Sequence, residues 1–270
     1  MHSPDITFIG GGNMASAIIA GLIQSGTRPE RIRVIEPLAA AREGLAARGV
    51  MALAELPAAP VRGLVVWAVK PQVMREAALA AADWTREALH LSVAAGIRSD
   101  SLCAWLGTGR VVRAMPNTPA LVGQGITALL AGPGVTAADR TQVEATLTPT
   151  GEWLWVSQEA QLDAVTALSG SGPAYVFYFL EAMRDAGQAL GLDADEAYRL
   201  GVATFRGAAA LAAASSEPPQ VLRERVTSKG GTTYAALTRL ESADVKGAFI
   251  EAMHAAAVRA HELGEEFGKA

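Results

Sequence analysis

Short apolar runs alternate with helical patterns through the first half of the chain. The apolar runs predict strands at residues 5–10, 31–36, 63–69, 89–94 and 110–114. Helical periodicity follows the first two runs, over residues 13–24 and 38–48. The run at residues 63–69 is apolar at nearly every position, as in a parallel strand that helices cover on both faces. The pattern therefore predicts an α/β fold with a doubly wound parallel sheet.

The pattern changes near residue 158, and from residue 162 onward it predicts helices without a convincing strand. The predicted helices span residues 162–190, 196–214, 219–226 and 232–267, the last with a break near Ser242, where a new N-cap begins. We therefore predict an α/β domain over residues 1–158 and an all-α domain over residues 159–270. The helices are apolar around much of their circumference, which predicts at least a homodimer.

Composition narrows the classes of function. The 270 residues are 50% apolar and 19% charged, with a net charge of −4 and no basic cluster, so a nucleic-acid partner is not expected. No apolar run reaches the length of a membrane span, and residues 1–5 do not resemble a signal peptide. The single cysteine, Cys103, fits a packed thiol in a reducing, cytoplasmic setting. The four histidines lack metal-ligand spacing, so we expect no metal.

A glycine turn follows the first predicted strand. In FIGGGNMASA, residues 8–17, the pattern G-x-G-x-x-G/A is filled by Gly10, Gly12 and Ala15. Such a turn between a strand and a helix brings main-chain N–H groups to a pyrophosphate, which predicts a Rossmann-type domain binding NADPH or NADH. Glu36 closes the second strand, where a carboxylate accepts hydrogen bonds from ribose hydroxyls and repels a 2′-phosphate. This residue favours NADH slightly, although Arg42 could offset its charge.

Further strings occur in a recognisable order. After GGGNM at residues 10–14 come WAVKPQ (67–72), SVAAGI (92–97), RAMPNTPALVG (113–123), ALSGSGPAY (167–175) and VTSKGGTT (226–233). Together they resemble pyrroline-5-carboxylate reductases from end to end. The resemblance implies hydride transfer from NADPH or NADH to the ring imine of 1-pyrroline-5-carboxylate, giving L-proline. It also implies a helical dimerisation domain that interlocks with a second subunit, and active sites between the domains.

Three features depart from the family. Lys229 stands where the family often has proline, and residues 54–56 lack the asparagine that many members have near the adenosine. Many members also favour NADPH and lack an acid at position 36. The last two differences concern cofactor preference and not the reaction.

The cofactor-binding residues follow from the glycine turn, the sheet edge and the resemblance. Lys70 and Pro71 follow a buried strand at its carboxyl end, where open α/β sheets bind ligands. Asn117 lies between two prolines that fix the backbone, so its side chain suits a nicotinamide contact. The predicted set is Gly10, Gly12, Asn13, Met14, Glu36, Ala68, Val69, Lys70, Pro71, Ala95 and Asn117.

The predicted substrate site is a helix start. Gly231 precedes a helical pattern, and exposed N–H groups and hydroxyls at a helix N-terminus suit the carboxylate of the substrate. Resemblance nominates Thr233 as the catalytic hydrogen-bond partner or proton donor, and Glu159 as a contact of the ring nitrogen. The predicted substrate-binding set is Ser228, Gly230, Gly231, Thr232, Thr233 and Glu159. Glycines and a proline at residues 170–173 predict a kink in the first long helix.

Three other functions remain open from the residues alone. A β-hydroxyacid dehydrogenase shares the fold but uses a lysine on the helix after the first domain, and residues 159–215 contain no lysine. A reductase of the six-membered piperideine acid differs only in pocket volume. A non-enzymatic nucleotide sensor would not require the VTSKGGTT loop.

Overall fold

The structure, a computed structural model, describes residues 6–269. Its strands form one eight-stranded sheet. They are β1 (Ile6–Ile9), β2 (Ile32–Ile35), β3 (Met51–Leu53), β4 (Leu64–Trp67), β5 (Leu89–Ser92), β6 (Val111–Met115), β7 (Gly125–Ala131) and β8 (Gly151–Val156). The strand order is β3-β2-β1-β4-β5-β6-β7-β8, and every neighbouring pair is parallel except β6 and β7.

The α-helices alternate with the strands and then continue alone. Those between strands are α1 (Asn13–Gln24), α2 (Ala39–Ala46), α3 (Pro71–Thr85), α4 (Ser99–Leu106) and α5 (Ala137–Leu147). Those after β8 are α6 (Glu159–Val165), α7 (Gly172–Ala189), α8 (Ala194–Ala213), α9 (Pro219–Arg225), α10 (Thr232–Ser242) and α11 (Val245–Lys269). Short 3-10 turns lie at Pro29–Arg31, Thr118–Val122 and Thr148–Thr150, and a π-helical turn at Thr166–Gly170 separates α6 from α7.

Two apolar cores lie on the two faces of the sheet, because successive side chains of a strand point to opposite faces. On one face, Phe8 of β1 packs with Ile18 of α1 and Val143 of α5. On the other face, Trp67 of β4 packs with Met74 of α3, and Leu102 of α4 belongs to the same core. Helices therefore cover both faces, and the prediction of a doubly wound α/β sheet is confirmed.

The sheet differs from the prediction in three strands and one direction. The five predicted strands are β1, β2, β4, β5 and β6, with residue 5 and the expectation for residues 1–5 lying outside the described residues. Strands β3, β7 and β8 were not predicted, and β7 runs antiparallel to β6. Only residues 116–124 connect those two strands. A parallel crossover needs about a dozen residues or more, so this short connection reverses the chain.

The described chain divides into two compact units. Unit 1 comprises residues 6–171 together with residues 256–269, and unit 2 comprises residues 172–255. The predicted domain boundary at residue 158 therefore lies inside unit 1, and helix α6 belongs with the sheet. Helix α11 begins in unit 2 and ends in unit 1.

The helices of unit 2 leave much of their apolar surface exposed. Helices α9 and α10 contain no buried residue, and α7 buries only Leu180 and Gly187. Large apolar side chains remain exposed on α7, α8 and α10, including Phe177, Leu211 and Tyr234. None of the helices within residues 6–269 is both long and apolar enough to cross a membrane. Apolar surface of this extent is typical of a protein–protein interface.

Candidate active site

The glycine turn joins β1 to α1 at the carboxyl edge of the sheet. Gly10 has φ +93°, and a Cβ there would lie 2.7 Å from the backbone oxygen of Ala68, so only glycine fits this close crossing. Gly12 is the N-cap of α1, lacks a capping side chain, and is exposed, and the first turn carries no acidic residue. The N–H groups at this helix start therefore remain available to an anion.

Glu36 lies beneath the glycine turn and is buried. Its Oε2 accepts a hydrogen bond from the Gly11 N–H at 2.8 Å, and its Oε1 accepts one from the Leu38 N–H at 2.9 Å. Arg42 does not reach this carboxylate, because its Nη1 donates to the backbone oxygens of Glu36 and Pro37 at 2.8 and 2.6 Å. Each carboxylate oxygen keeps a free lone pair, so the group can still accept a ribose hydroxyl.

Residues 68–71 follow β4 at the same edge of the sheet as the glycine turn. The Ala68 N–H donates to the Ile9 backbone oxygen at 2.8 Å, which extends the pairing of β4 with β1 beyond the strands. Lys70 is the exposed N-cap of α3, and Pro71 is the first residue of that helix. The structure thus places Ala68 and Val69 beside the glycine turn, and Lys70 follows them in the chain. The contact of these residues with a cofactor stays a prediction.

Asn117 uses both ends of its amide within unit 1. Its Oδ1 accepts a hydrogen bond from the Ile126 N–H at 3.0 Å, and its Nδ2 donates to the Ser169 backbone oxygen at 3.3 Å. The side chain therefore ties the start of β7 to the π-helical turn. The nicotinamide contact of Asn117 stays a prediction. Both polar atoms of its side chain already have hydrogen-bond partners within unit 1.

Glu159 opens α6 and forms an ion pair with Arg113, whose side chain is only 3% exposed in the middle of β6. Its second oxygen, Oε1, accepts a hydrogen bond from the Ser99 N–H at 2.7 Å. An unpaired arginine at this depth would be costly, so Glu159 neutralises the charge and fixes the start of α4. Sequence reasoning missed Arg113, although a charged residue inside the apolar run VVRAM was a usable signal.

These contacts change the interpretation of Glu159. Resemblance had placed its carboxylate against the ring nitrogen of the substrate. In the structure both oxygens have partners inside unit 1, and one of them neutralises a buried charge. We therefore assign Glu159 to the support of the site and leave it out of the proposed substrate contacts.

The kink predicted at residues 170–173 is present as the π-helical turn Thr166–Gly170. A Cβ on Gly170 would lie 2.5 Å from Cε of Met115, so the turn passes directly over the end of β6. Turns of this kind occur often at functional sites. Its position beside the carboxyl edge of the sheet places an irregular backbone segment near the residues described above.

In unit 2, the VTSKGGTT loop leads directly into α10. The Gly231 N–H donates to the Ser228 backbone oxygen at 3.0 Å, and the space beside Gly231 is filled by the Ser228 side chain, whose Oγ would lie 2.5 Å from a Cβ. Gly231 is the N-cap and has no capping side chain, and no acid lies in the first turn. Thr233 is half-buried, while Lys229 and Thr232 are exposed. This helix start is suited to a carboxylate.

The surroundings of Cys103 fit a packed side chain. Cys103 is half-buried, and burial, followed by the charges of Asp100 and Glu159, raises the pKa of its thiol. The thiol therefore stays protonated, as expected for a packed side chain. Among residues 6–269, no group of three or more His, Cys, Asp or Glu side chains is placed to hold a metal ion. The absence of a metal stays a prediction.

Two family models match the chain. A model described as pyrroline-5-carboxylate reductase dimerisation matches residues 159–263, and one described as NADP oxidoreductase, coenzyme F420-dependent, matches residues 5–96. The first covers α6–α10 and most of α11, and the second covers the glycine turn. The helical region after residue 158 is thus a dimerisation domain, and the N-terminal region is of an NADP oxidoreductase type.

Relatives match over the whole length. The pyrroline-5-carboxylate reductase of Pseudomonas aeruginosa is 44% identical, with 100% of each chain covered. That of Pisum sativum is 38% identical over 95% of this chain and 94% of the relative. A solved pyrroline-5-carboxylate reductase from Coxiella burnetii superposes with a TM-score of 0.89 at 38% identity, covering 97% and 99% of the two chains. The pyrroline carboxylate reductase of Plasmodium falciparum, solved with NADP bound, gives 0.84 at 26% identity over 98% and 99%. The chain therefore belongs to the pyrroline-5-carboxylate reductase family.

Proposed function

We propose that this chain reduces the ring imine of 1-pyrroline-5-carboxylate to L-proline with hydride from NADPH or NADH. The observation that carries the proposal is the 44% identity along the whole chain, which spans both the glycine turn and the VTSKGGTT loop. The geometry of the turn supports it, because the backbone crossing at Gly10 and the open N-cap at Gly12 fit a dinucleotide pyrophosphate.

In this proposal the cofactor supplies the hydride, and the protein supplies position and electrostatics. The helix start at Gly12, Asn13 and Met14 binds the pyrophosphate, and Glu36 accepts hydrogen bonds from the adenosine ribose. Residues 68–71, Ala95 and Asn117 line the remaining part of the cofactor site. The buried carboxylate of Glu36 favours NADH, while the NADP-type family model and the NADP-bound relative favour NADPH.

The substrate carboxylate binds at the start of α10. Its negative charge is stabilised by the N–H groups of Thr232 and Thr233 and by the positive end of the helix, and Ser228 adds a hydroxyl. Lys229 adds a positive charge to the same exposed loop. Thr233 directs its hydroxyl toward the bound ring in this proposal.

The imine nitrogen must carry a proton when the hydride arrives, because protonation makes the imine carbon strongly electrophilic. A threonine hydroxyl is a weak acid, so Thr233 holds the nitrogen or relays a proton from water, and the substrate can also enter already protonated. Glu159 does not supply the proton, since its carboxylate is paired with Arg113. Holding the two reactants in register can lower the barrier by up to about 10 kcal/mol.

The reductase works as a homo-oligomer of at least two subunits. The dimerisation model covers residues 159–263, and the helices of unit 2 leave large apolar side chains exposed. Light scattering on the purified protein is expected to give at least twice the mass of the 28.0 kDa chain. A 28.0 kDa species would contradict this. The cytoplasmic location stays a prediction.

The first test is oxidation of NADH and of NADPH by the purified protein, with and without 1-pyrroline-5-carboxylate. Substrate-dependent oxidation is expected. Oxidation with the six-membered piperideine acid but not with pyrroline-5-carboxylate would assign a neighbouring imine instead, and oxidation with neither would contradict the proposal.

The second test addresses Thr233. We expect Thr233→Ala to lower kcat by about a hundredfold or more with little change in cofactor affinity, because one positioned proton-transfer group typically contributes about a hundredfold to ten-thousandfold. Thr238→Ala, at an exposed position of the same helix, is the matched control. An unchanged kcat in Thr233→Ala would remove this residue from the chemistry.

A further inference from the structure

The end of α11 packs against the loop that follows β5. Gly96, in the turn of this loop, has φ +74°, and a Cβ there would lie 3.1 Å from Cδ2 of Phe267 and 3.3 Å from Cβ of Leu263. Both apolar side chains come from one face of the helix, four residues apart. The helix therefore covers the turn closely, and these contacts together with the positive φ favour glycine at position 96.

Two glycines let this part of α11 approach so closely. A Cβ on Gly264 would lie 3.4 Å from Cγ of Arg98, and one on Gly268 would lie 3.1 Å from Oγ of Ser101. Glycine inside a helix costs roughly 1 kcal/mol relative to alanine. At Gly268 the start of α4 supplies a packing reason, because a Cβ there would be tighter than ordinary van der Waals contact, whereas the 3.4 Å at Gly264 is an ordinary contact distance to the Arg98 side chain.

Further contacts also hold the same loop. Ile97 is fully buried in the core that contains Trp67, and Glu159 accepts a hydrogen bond from the Ser99 N–H. Earlier in α11, Nδ1 of His261 lies 3.4 Å from Oδ2 of Asp163 on α6. This contact holds α11 next to α6, the helix that Glu159 begins. Ala95 remains exposed at the tip of the turn.

We propose that Phe267, assisted by Leu263, is a positioning residue that holds the Ala95–Gly96 turn in the conformation that binds the nicotinamide half of the cofactor. The inference rests on the proposed function, because the turn matters only if the chain binds a dinucleotide. The strand order of the sheet reverses between β1 and β4, and the two halves of a dinucleotide bind on the two sides of this switch point. Strand β5 lies on the side of β4, whereas β2 and Glu36 lie on the side of β1. The Ala95 turn therefore faces the nicotinamide half, not the adenosine half.

The expected effect follows from the population of the competent turn. Apparent affinity falls in proportion to the fraction of molecules that hold the binding conformation. Without the ring of Phe267 a gap opens over Gly96, and the turn samples other conformations. If about a tenth to a third of molecules keep the competent turn, the dissociation constant for NADH rises about threefold to tenfold. The adenosine half, bound at the glycine turn, is unaffected.

The experiment is calorimetric titration of the full chain with NADH and, separately, with ADP, which lacks both the nicotinamide and its ribose. Phe267→Ala is expected to weaken NADH binding about threefold to tenfold and to leave ADP binding unchanged. Phe267→Leu, which keeps an apolar contact, is expected to restore NADH binding to within about twofold. Glu266→Ala, in the same turn but exposed and paired with Arg259, is the control and should change neither. If Phe267→Ala does not fold, Leu263→Ala should show a smaller effect in the same direction.

Two results would overturn the inference alone. Equal weakening of NADH and ADP binding would show general loosening of unit 1, and unchanged NADH binding would show that the contact does not position the turn. A wild-type protein that binds neither NADH nor NADPH would instead overturn the proposed function, and this inference with it.

Discussion

His90 occupies the middle of the sheet and is fully buried on β5. The Trp67 Nε1–H donates a hydrogen bond to its Nδ1 at 3.1 Å, and the two rings stack with their centroids 6.0 Å apart. Because an indole N–H can only donate, Nδ1 must carry no proton, and the neutral ring holds its proton on Nε2. Nε2 lies near the Thr85 backbone carbonyl without a hydrogen bond of normal geometry. Protonation of Nδ1 would therefore place two N–H donors, that of His90 and that of Trp67, against each other.

Burial is the main cause that lowers the pKa of His90 from 6.5 to about 4, the nearby Arg110 adds to the shift, and the Thr85 carbonyl opposes it. The unfolded chain binds this proton near pH 6.5 and the folded chain only near pH 4. The contribution of the neutral His90 to the unfolding free energy is therefore fully present above pH 6.5. It is lost as the pH falls from 6.5 toward 4, and it changes no further below pH 4. A difference of about 2.5 pKa units corresponds to roughly 3 kcal/mol of unfolding free energy.

The assay is urea unfolding at several pH values between about 7 and about 4.5, on the wild type and on His90→Asn. The amide oxygen of asparagine can accept the hydrogen bond from Trp67 but does not titrate. We expect the wild type to lose about 1.4 kcal/mol per pH unit more than this variant. His254→Asn, which removes an exposed histidine, should keep the wild-type slope. An identical slope in His90→Asn would refute the reasoning, because carboxylates contribute equally to all three proteins.

Three further predictions concern the site. Glu36→Gln should raise the ratio of kcat/KM with NADPH to kcat/KM with NADH about tenfold, because it removes the charge that repels a 2′-phosphate. Glu43→Gln, at an exposed position, should leave this ratio unchanged, and an unchanged ratio in Glu36→Gln would contradict the role of Glu36. Lys229→Met should raise the substrate KM a few-fold at low salt and less at high salt, because salt screens the attraction between the lysine and the substrate carboxylate. Lys246→Met is the control and should leave the KM unchanged, and a salt-independent change in Lys229→Met would argue against electrostatic attraction. Asn117→Asp should lower the unfolding free energy by about 1–3 kcal/mol in urea, because aspartate cannot donate to the π-helical turn; full stability would show that this hydrogen bond is dispensable.

Local signals in the sequence predicted the first part of the sheet and the cofactor turn. Strands β1 and β4 are buried on both faces, so their apolar runs are continuous, and the glycine turn needs residue types that few other structures require. The helix break near Ser242 was also predicted, since Asp244 acts as a cap whose Oδ1 accepts the Gly247 N–H at 3.2 Å. Each of these features depends on residues that are neighbours in the chain.

Features that depend on distant residues were not predicted. The pairing of Arg113 with Glu159 joins positions 46 residues apart, and neither local pattern specifies the partner. Short apolar runs such as β7 do not reveal strand direction, although the short connection after β6 would have excluded a parallel neighbour. The cover of Gly96 by Phe267 joins residues 171 positions apart in the sequence. Resemblance supplied the reaction and the VTSKGGTT site, which composition and periodicity alone did not reach.

The return of α11 to unit 1 has a consequence for the order of synthesis on the ribosome. Residues 6–171 contain the whole sheet, but Phe267, which packs on the core around Trp67, is made 96 residues after Ser171. Until then, the turn at Gly96 and the neighbouring core remain uncovered. A nascent chain therefore holds an incomplete nucleotide-binding half while all of the intervening helices are translated. We expect ribosome-bound chains that stop short of residue 256 to resist proteolysis less well in the first half than released, full-length protein does.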